Sequence, residues 1–325
     1  MNYLKTFLPH IFGNKKGKSF VLPAILEWDK LSFEEKLMFH TLRNDIETFI
    51  DTLVVSDLTT QQIYHLLSFR EHLTTEFLND IIGHYPFEYR TFNSAINGVV
   101  LNKVQVQEIL NHQTYKLSLI AIFQKDRSIP GRLFIRRADG SFVHKNNGDL
   151  WSMKVLGTSG RGLPFNHSNG LTPCGVYSVD SVMPEANKNA DFGKFRRLIV
   201  NFLATSPNEE NIKQFLPRNQ HSNAWWLPSI VGRELGRSLL RIHGTGRVNI
   251  NPFSSYFPMI PSSGCLTTIE TTAFGLCEVN DQRDLLDTLM AALNLPIAYE
   301  NESKIHGLLY VIEFDDTYQA LEFRS

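Results

Sequence analysis

Two side chains in the stretch "RIHGTGRVNINPFSSYFPMIPSSGCLTTIE" have the chemistry for acyl transfer, His243 and Cys265. A thiol attacks as thiolate, and an adjacent imidazole supplies that form by taking the proton. The glycines point the same way. Gly244 follows His243 where the apolar run "SLLRIH" ends, so a strand would deliver the imidazole to the rim of a sheet and the chain could then turn. Gly264 precedes Cys265 behind a Ser-Ser pair. It opens backbone conformations closed to other residues and leaves the Gly264 and Cys265 amides clear, as an oxyanion hole requires. Singly, His243 is one of 11 histidines and Cys265 one of three cysteines. Most such residues pack in a core or face solvent. The catalytic reading rests on the pair with a glycine beside each.

Other candidates lie nearby. Arg241 and Arg247 flank His243 and have the fork geometry to meet a carboxylate, or they are surface charges. Trp225 and Trp226 sit in a long polar segment before His243. They either form a wall that stacks on sugar or packs a peptide, or anchor the segment to the core. Cys174 beside Pro173 reads as a packed cysteine, and a Cys174–Cys277 bridge would leave Cys265 free. The loop "GTSGRG" has no Lys-Ser/Thr and no evident helix after it, so it is not read as a phosphate loop. His167, His221, His243 and Cys265 lack paired zinc-ligand spacing. The reading therefore assigns no metal and no organic cofactor.

The elements that would position these groups change character along the chain. "LSFEEKLMFHTLRNDIETFIDTL" opens with a Ser32–Glu35 capping-box pattern and continues with apolar residues at helical spacing through Leu53. "LTTQQIYHLLSFREHLTTEFLNDIIGHY" predicts another helical segment, with Thr59 as cap and Gly83 as stop, and "NSAINGVVLNKVQVQEILNHQ" a third. From Tyr115 onward strand patterns take over: "YKLSLIAIF", a hairpin in "GRLFIRRADGSFV" turning at Asp139-Gly140, then "CGVYSVDSV", "RLIVNFL", "SLLRIHG" and "LLYVIEF". "NDQRDLLDTLMAALNL" is the helix of this half, with Asn280 as its cap. The fold class is α+β: an N-terminal helical domain over residues 1–112, then a β-rich, sandwich or barrel-like domain over 113–325.

At this point the residues resemble a known family. "IHGTG" followed by "SSGCLTT" is similar to the active-site signature of the L,D-transpeptidase (YkuD-type) catalytic domain. "GLTPCGVYSVDSV" resembles that family's Thr-Pro-x-Gly-x-Tyr/Phe strand, and "LWSMKVLGTSGRG" the strand before it. The resemblance covers about residues 115–315 and leaves the helical part aside. It implies that Cys265 attacks a peptidoglycan tetrapeptide stem and releases D-alanine, that His243 is the base, that the Gly244 carbonyl fixes its tautomer, and that the Gly264 and Cys265 amides hold the oxyanion. A stem amine then takes the acyl group in transpeptidation, or water takes it in carboxypeptidation. Ser263 stands where the family most often has a second histidine, and Thr267 where it often has Arg or Asn; both fall at substrate-binding positions. The step from His243 to Cys265 is a few residues longer than usual, which implies an enlarged loop at "NINPFSSYFPM". These departures shift weight toward a hydrolase of the same fold, an L,D-carboxypeptidase.

The bulk numbers bound the alternatives. The 325 residues are 42% hydrophobic and 20% charged, with a net charge of −1. A neutral balance without a basic, aromatic stripe gives no call for nucleic acid as a partner. No apolar run is long enough to span a membrane. The N-terminal "MNYLKTFLPHIFGNKKGKSF" lacks a clean export signal, so the expected location is the periplasm or cell envelope if a signal has been removed, and the cytoplasm otherwise. Oligomeric state is not legible. Two other functions remain open: a catalytically idle member that binds peptidoglycan or a partner protein, and a thiol acyltransferase or peptidase for a different substrate.

Overall fold

The computed structural model describes residues 30–98, 100–184, 188–203, 209–271 and 279–315. Helix α1 (Phe33–Arg43) begins at the expected capping box, where the Ser32 hydroxyl accepts from the Glu35 amide and the Glu35 carboxylate accepts from Ser32 N–H at 2.8 Å. It does not run through to Leu53. Asn44 takes a left-handed conformation at φ 59°, which asparagine tolerates, and the chain restarts as α2 (Ile46–Ile50). The second segment also divides. Thr59 caps α3 (Thr60–Ser68) with Gln62, and Thr74 starts α4 (Thr75–His84) anew. Gly83 lies inside α4, and the stop comes from Pro86, which opens α5 (Pro86–Ile96) at a position where its missing N–H costs nothing. Helix α6 (Lys103–Asn111) carries a third box between Asn102 and Gln105.

The first five helices enclose Leu37, Ile63, Leu66, Phe92 and Ala95, and the same cluster takes in Leu163, Val231 and Leu235 from later in the chain. Helix α6 instead packs Val106, Ile109 and Leu110 against the sheet.

The sheet has the strands β1 (Ser118–Phe123), β2 (Gly131–Arg136), β3 (Ser152–Val155), β4 (Gly175–Val182), β5 (Leu198–Phe202), β6 (Leu240–His243), β7 (Leu266–Thr267) and β10 (His306–Glu313). Their order is β3-β2-β1-β10-β4-β5-β6-β7. Pairs β1–β10 and β6–β7 are parallel and the rest antiparallel. Leu156, just past β3, exchanges two backbone hydrogen bonds with Thr267 in β7, so the sheet is nearly closed into a barrel. A short ribbon pairs β8 (Glu270–Thr271) with β9 (Val279–Asn280). The expected hairpin turns at Gly140, whose φ of 95° requires glycine.

Alternation divides the sheet into two faces. Leu119, Ala121, Val179, Ile242 and Leu266 pack with Leu285, Leu286, Leu289 and Met290 of the helix Asp281–Ala292. Each of the larger side chains among these contributes about 1.5–3 kcal/mol gross on burial. Asn280 precedes this helix, but its side chain makes no capping bond. Gln282 instead reaches across, donating to the carbonyls of Arg196 and Ile242 and accepting from Thr268 Oγ1. The other face packs Ile120, Val176 and Tyr310 against α6, Ile212, Ile230, Trp225 and Trp226.

Candidate active site

Strand β6 is four residues long. Leu240 and Ile242 point into the core, so Arg241 and His243 point the other way. His243 ends the strand and is 1% exposed. Its Nδ1 lies 2.6 Å from the Gly244 carbonyl oxygen, the contact expected above. That carbonyl can only accept, so the proton sits on Nδ1 and Nε2 keeps its lone pair. Nε2 is buried and has no hydrogen-bond partner among the described residues. Burial pushes the imidazole pKa down to about 4; the Gly244 contact raises it, the charges of Arg197 and Arg241 lower it further, and Asp191 opposes them. His243 is therefore a neutral imidazole at neutral pH, its basic nitrogen unoccupied.

Gly244 has a steric reason as well. A Cβ there would fall 2.1 Å from the Glu270 carboxylate, which holds the Lys194 amide at 2.5 Å. The ring is covered by Phe192, edge-on with centroids 5.0 Å apart. Phe192 belongs to the short helix Asn189–Phe192, and Arg197 stacks on its ring at 4.2 Å.

Cys265 immediately precedes β7, which pairs Leu266 with Ile242 and Thr267 with His243. The pairing brings the segments carrying the nucleophile and base candidates side by side, although 21 residues separate the two in sequence. The thiol lies against the start of β6, 3.8 Å from the Leu239 carbonyl, and accepts from the Arg241 N–H. Burial pushes the thiol pKa up, while that N–H and the charges of Arg241, Arg237 and Arg197 pull it back. In this conformation the thiol is bonded to strand backbone and not to Nε2.

Gly264 adopts φ 106°, a region that side-chain-bearing residues avoid. A Cβ there would lie 2.3 Å from a guanidinium nitrogen of Arg237 and 2.9 Å from the Gly170 oxygen. Its carbonyl accepts from Thr172 Oγ1 at 2.9 Å, and Ser262 Oγ donates to the Cys265 carbonyl at 2.8 Å. The turn before the thiol is therefore fixed from both sides.

The remaining predicted residues are placed as follows. Arg241 is half-buried beside the thiol. Ser263 is exposed on the Gly264 turn. Thr267 is fully buried with Oγ1 donating to the Ile260 carbonyl, which corrects its assignment to substrate binding. Arg247 is exposed and forms a 3.1 Å ion pair with Asp191 of the helix over His243. Trp225 and Trp226 are 1% and 2% exposed in the core on the outer face of the sheet, Trp226 donating to the Gln220 carbonyl. They anchor the long segment and form no wall. Trp226→Phe is expected to cost about 1–2 kcal/mol of stability through lost packing and that hydrogen bond. A denaturant titration with an unchanged midpoint would contradict this placement.

Cys174 is a free buried thiol, 3.6 Å from Arg127, and Cys277 lies outside the described residues. Sequence reasoning missed Arg237, Glu270, Thr172 and Phe192. Their partners are distant in sequence, so no local spacing marks them. No protein-family model, no curated protein and no solved structure matches this chain.

Proposed function

We propose that the protein is a cysteine-dependent acyl-transfer enzyme acting on peptidoglycan tetrapeptide stems, an L,D-transpeptidase or an L,D-carboxypeptidase of the cell envelope. The observation that carries this reading is the His243 geometry: Nδ1 held by Gly244, Nε2 without a partner among the described residues, and Cys265 immediately before the neighbouring strand. Cys265 Sγ forms a bond to the carbonyl carbon of the stem's penultimate residue as its proton passes to His243 Nε2. The Gly264 and Cys265 amides hold the oxyanion. The C–N bond to D-alanine then breaks, and His243 returns the proton to the leaving amine. A stem amine or water releases the thioester. In this reading Arg241, whose guanidinium now donates to the Leu240 carbonyl, would meet a substrate carboxylate near the thiol.

Hydrolysis is favoured within this reading because Ser263 and the buried Thr267 offer no second imidazole or guanidinium to orient an acceptor. One observation favours a catalytically idle member instead: the thiol's bond to β6 and its raised pKa.

The test is mass spectrometry of disaccharide-tetrapeptide muropeptides incubated with the protein and with Cys265→Ala. Loss of D-alanine that requires Cys265 supports the reading. Tripeptide alone then means carboxypeptidase, and dimers with a 3–3 cross-link mean transpeptidase. Turnover absent from both proteins sinks it.

The pH profile is a second check. Acylation needs His243 unprotonated, so the rate of adduct formation with a carbapenem is expected to hold down to about pH 4 before falling. An acid limb at pH 6–7 would mean that the imidazole is solvated or ion-paired in the working state.

A further inference from the structure

The helical N-terminal region grips the two segments that lie behind the nucleophile. Glu34 of α1 is 7% exposed. Its Oε1 accepts from the Ser168 amide at 3.0 Å and lies 3.8 Å from His167 Nδ1. Ser68 of α3 donates to the Asn166 carbonyl at 2.8 Å, and Phe69 meets the His167 ring edge-on at 5.2 Å. Gln61 of the same helix donates to the Leu235 carbonyl, beside Gly236. The helices thus fix the loop at 163–171 and the turn at 235–239.

Arg237 joins those two segments. It is 6% exposed, and its guanidinium donates to three loop carbonyls: Phe165 at 2.6 Å, Leu171 at 2.9 Å and Gly170 at 2.9 Å. One of its nitrogens lies where a Cβ on Gly264 would be. The three carbonyls satisfy this buried guanidinium and hold it against the Gly264 turn that carries the thiol. Burial pushes its pKa down to about 10, so it stays charged at neutral pH.

We propose that Arg237 is a positioning residue for Cys265, and that the helical region sets the thiol's reactivity by holding the loop that cages Arg237. The carbonyl cage fixes the cation against the Gly264 turn, and the cation favours the thiolate. Glu34 supports the cage from the helical side. Burial pushes its pKa up, but the nearby His167 and His65 rings and the Ser168 hydrogen bond outweigh this and bring it to about 2. It is an anion throughout the working pH range. The inference rests on Cys265 being the reactive group of the proposed function and not on the identity of the substrate.

The test measures iodoacetamide alkylation of Cys265 in the full chain against pH, followed by peptide mass spectrometry to separate it from Cys174 and Cys277. Arg237→Gln is expected to move the alkylation midpoint up and to slow the reaction at pH 7 by about 3–10-fold. Arg237→Lys keeps the charge without the fork and should recover part of that loss. Glu34→Gln separates the relay from direct electrostatics. Removing a nearby anion acts through space to lower the midpoint, whereas loosening the cage raises it. An upward shift supports the relay. A downward shift, no shift, or a lower melting temperature with an unmoved midpoint overturns it. If Arg237→Gln does not fold, Glu34→Gln alone decides. Absent muropeptide turnover together with an upward shift would remove the peptidoglycan reading and leave the relay standing.

Discussion

Carbapenem acylation of Cys265 is expected to slow by about 10²–10⁴-fold in a His243→Ala chain, the span usual for losing a positioned base. The magnitude follows from the environment. His243 keeps an open Nε2, and no other imidazole among the described residues is set on the strands flanking Cys265. The arginines around the thiol are cations and cannot take its proton. Rate constants from intact-protein mass spectrometry check this, with Cys265→Ala giving no adduct. A His243→Ala rate within threefold of the parent would remove His243 from the mechanism. His243→Gln tests the same environment through stability. The native imidazole titrates near pH 4 and the unfolded one near 6.5, so the unfolded state binds more protons between those values. Stability is thus lost as pH falls from about 6.5 to 4, by about 3 kcal/mol from this residue. Glutamine should remove that slope in urea titrations at pH 4.5 and 7. An unaltered slope would mean that the imidazole is not desolvated.

Gly264→Ala is expected to cost about 2–4 kcal/mol and to disable the thiol together with the fold around it. Two independent penalties add. The φ of 106° is strained for alanine, and the new methyl would meet Arg237 and the Gly170 carbonyl, both held in place by the cage. Relief requires either moving the guanidinium out of its three hydrogen bonds or moving the turn that carries Cys265. Thr172 and Ser262 oppose the second. Urea midpoints and the Cys265 alkylation rate report the two effects. A change below 0.5 kcal/mol with normal alkylation would mean that the turn relaxes freely, contrary to its packing.

Much of the scaffold was legible from local signals. The Ser32–Glu35 and Thr59–Gln62 boxes start helices as their spacing requires, and the strand patterns fall on strands of the sheet. Misreadings came where a residue's conformation, not its polarity, decided the outcome. Asn44 breaks a run whose apolar spacing continues through it, because left-handed asparagine leaves no trace in periodicity. Gly83 reads as a stop but is tolerated inside a helix, since its cost of about 1 kcal/mol is small beside tertiary packing. Asn280 has the right type for a cap and makes no such bond.

The site shows the same division. His243, Gly244, Gly264 and Cys265 stood out because acyl-transfer chemistry would demand such residue types with glycine beside them. By itself the sequence determined which groups have the chemistry to react and which segments become helix or strand, since both depend on residue type and near neighbours. The tertiary structure decided which charged and aromatic side chains serve the site. Thr267 and the two tryptophans looked available from sequence and are held by Ile260 and the core. Arg237 and Glu270 carry no signal in the sequence and lie against Gly264 and Gly244. The physical reason is distance along the chain. Arg237 acquires its environment from carbonyls more than sixty residues earlier, and Glu270 from amides more than seventy residues earlier. No periodicity encodes those partners; only the closure of the sheet and the helices behind it brings them together.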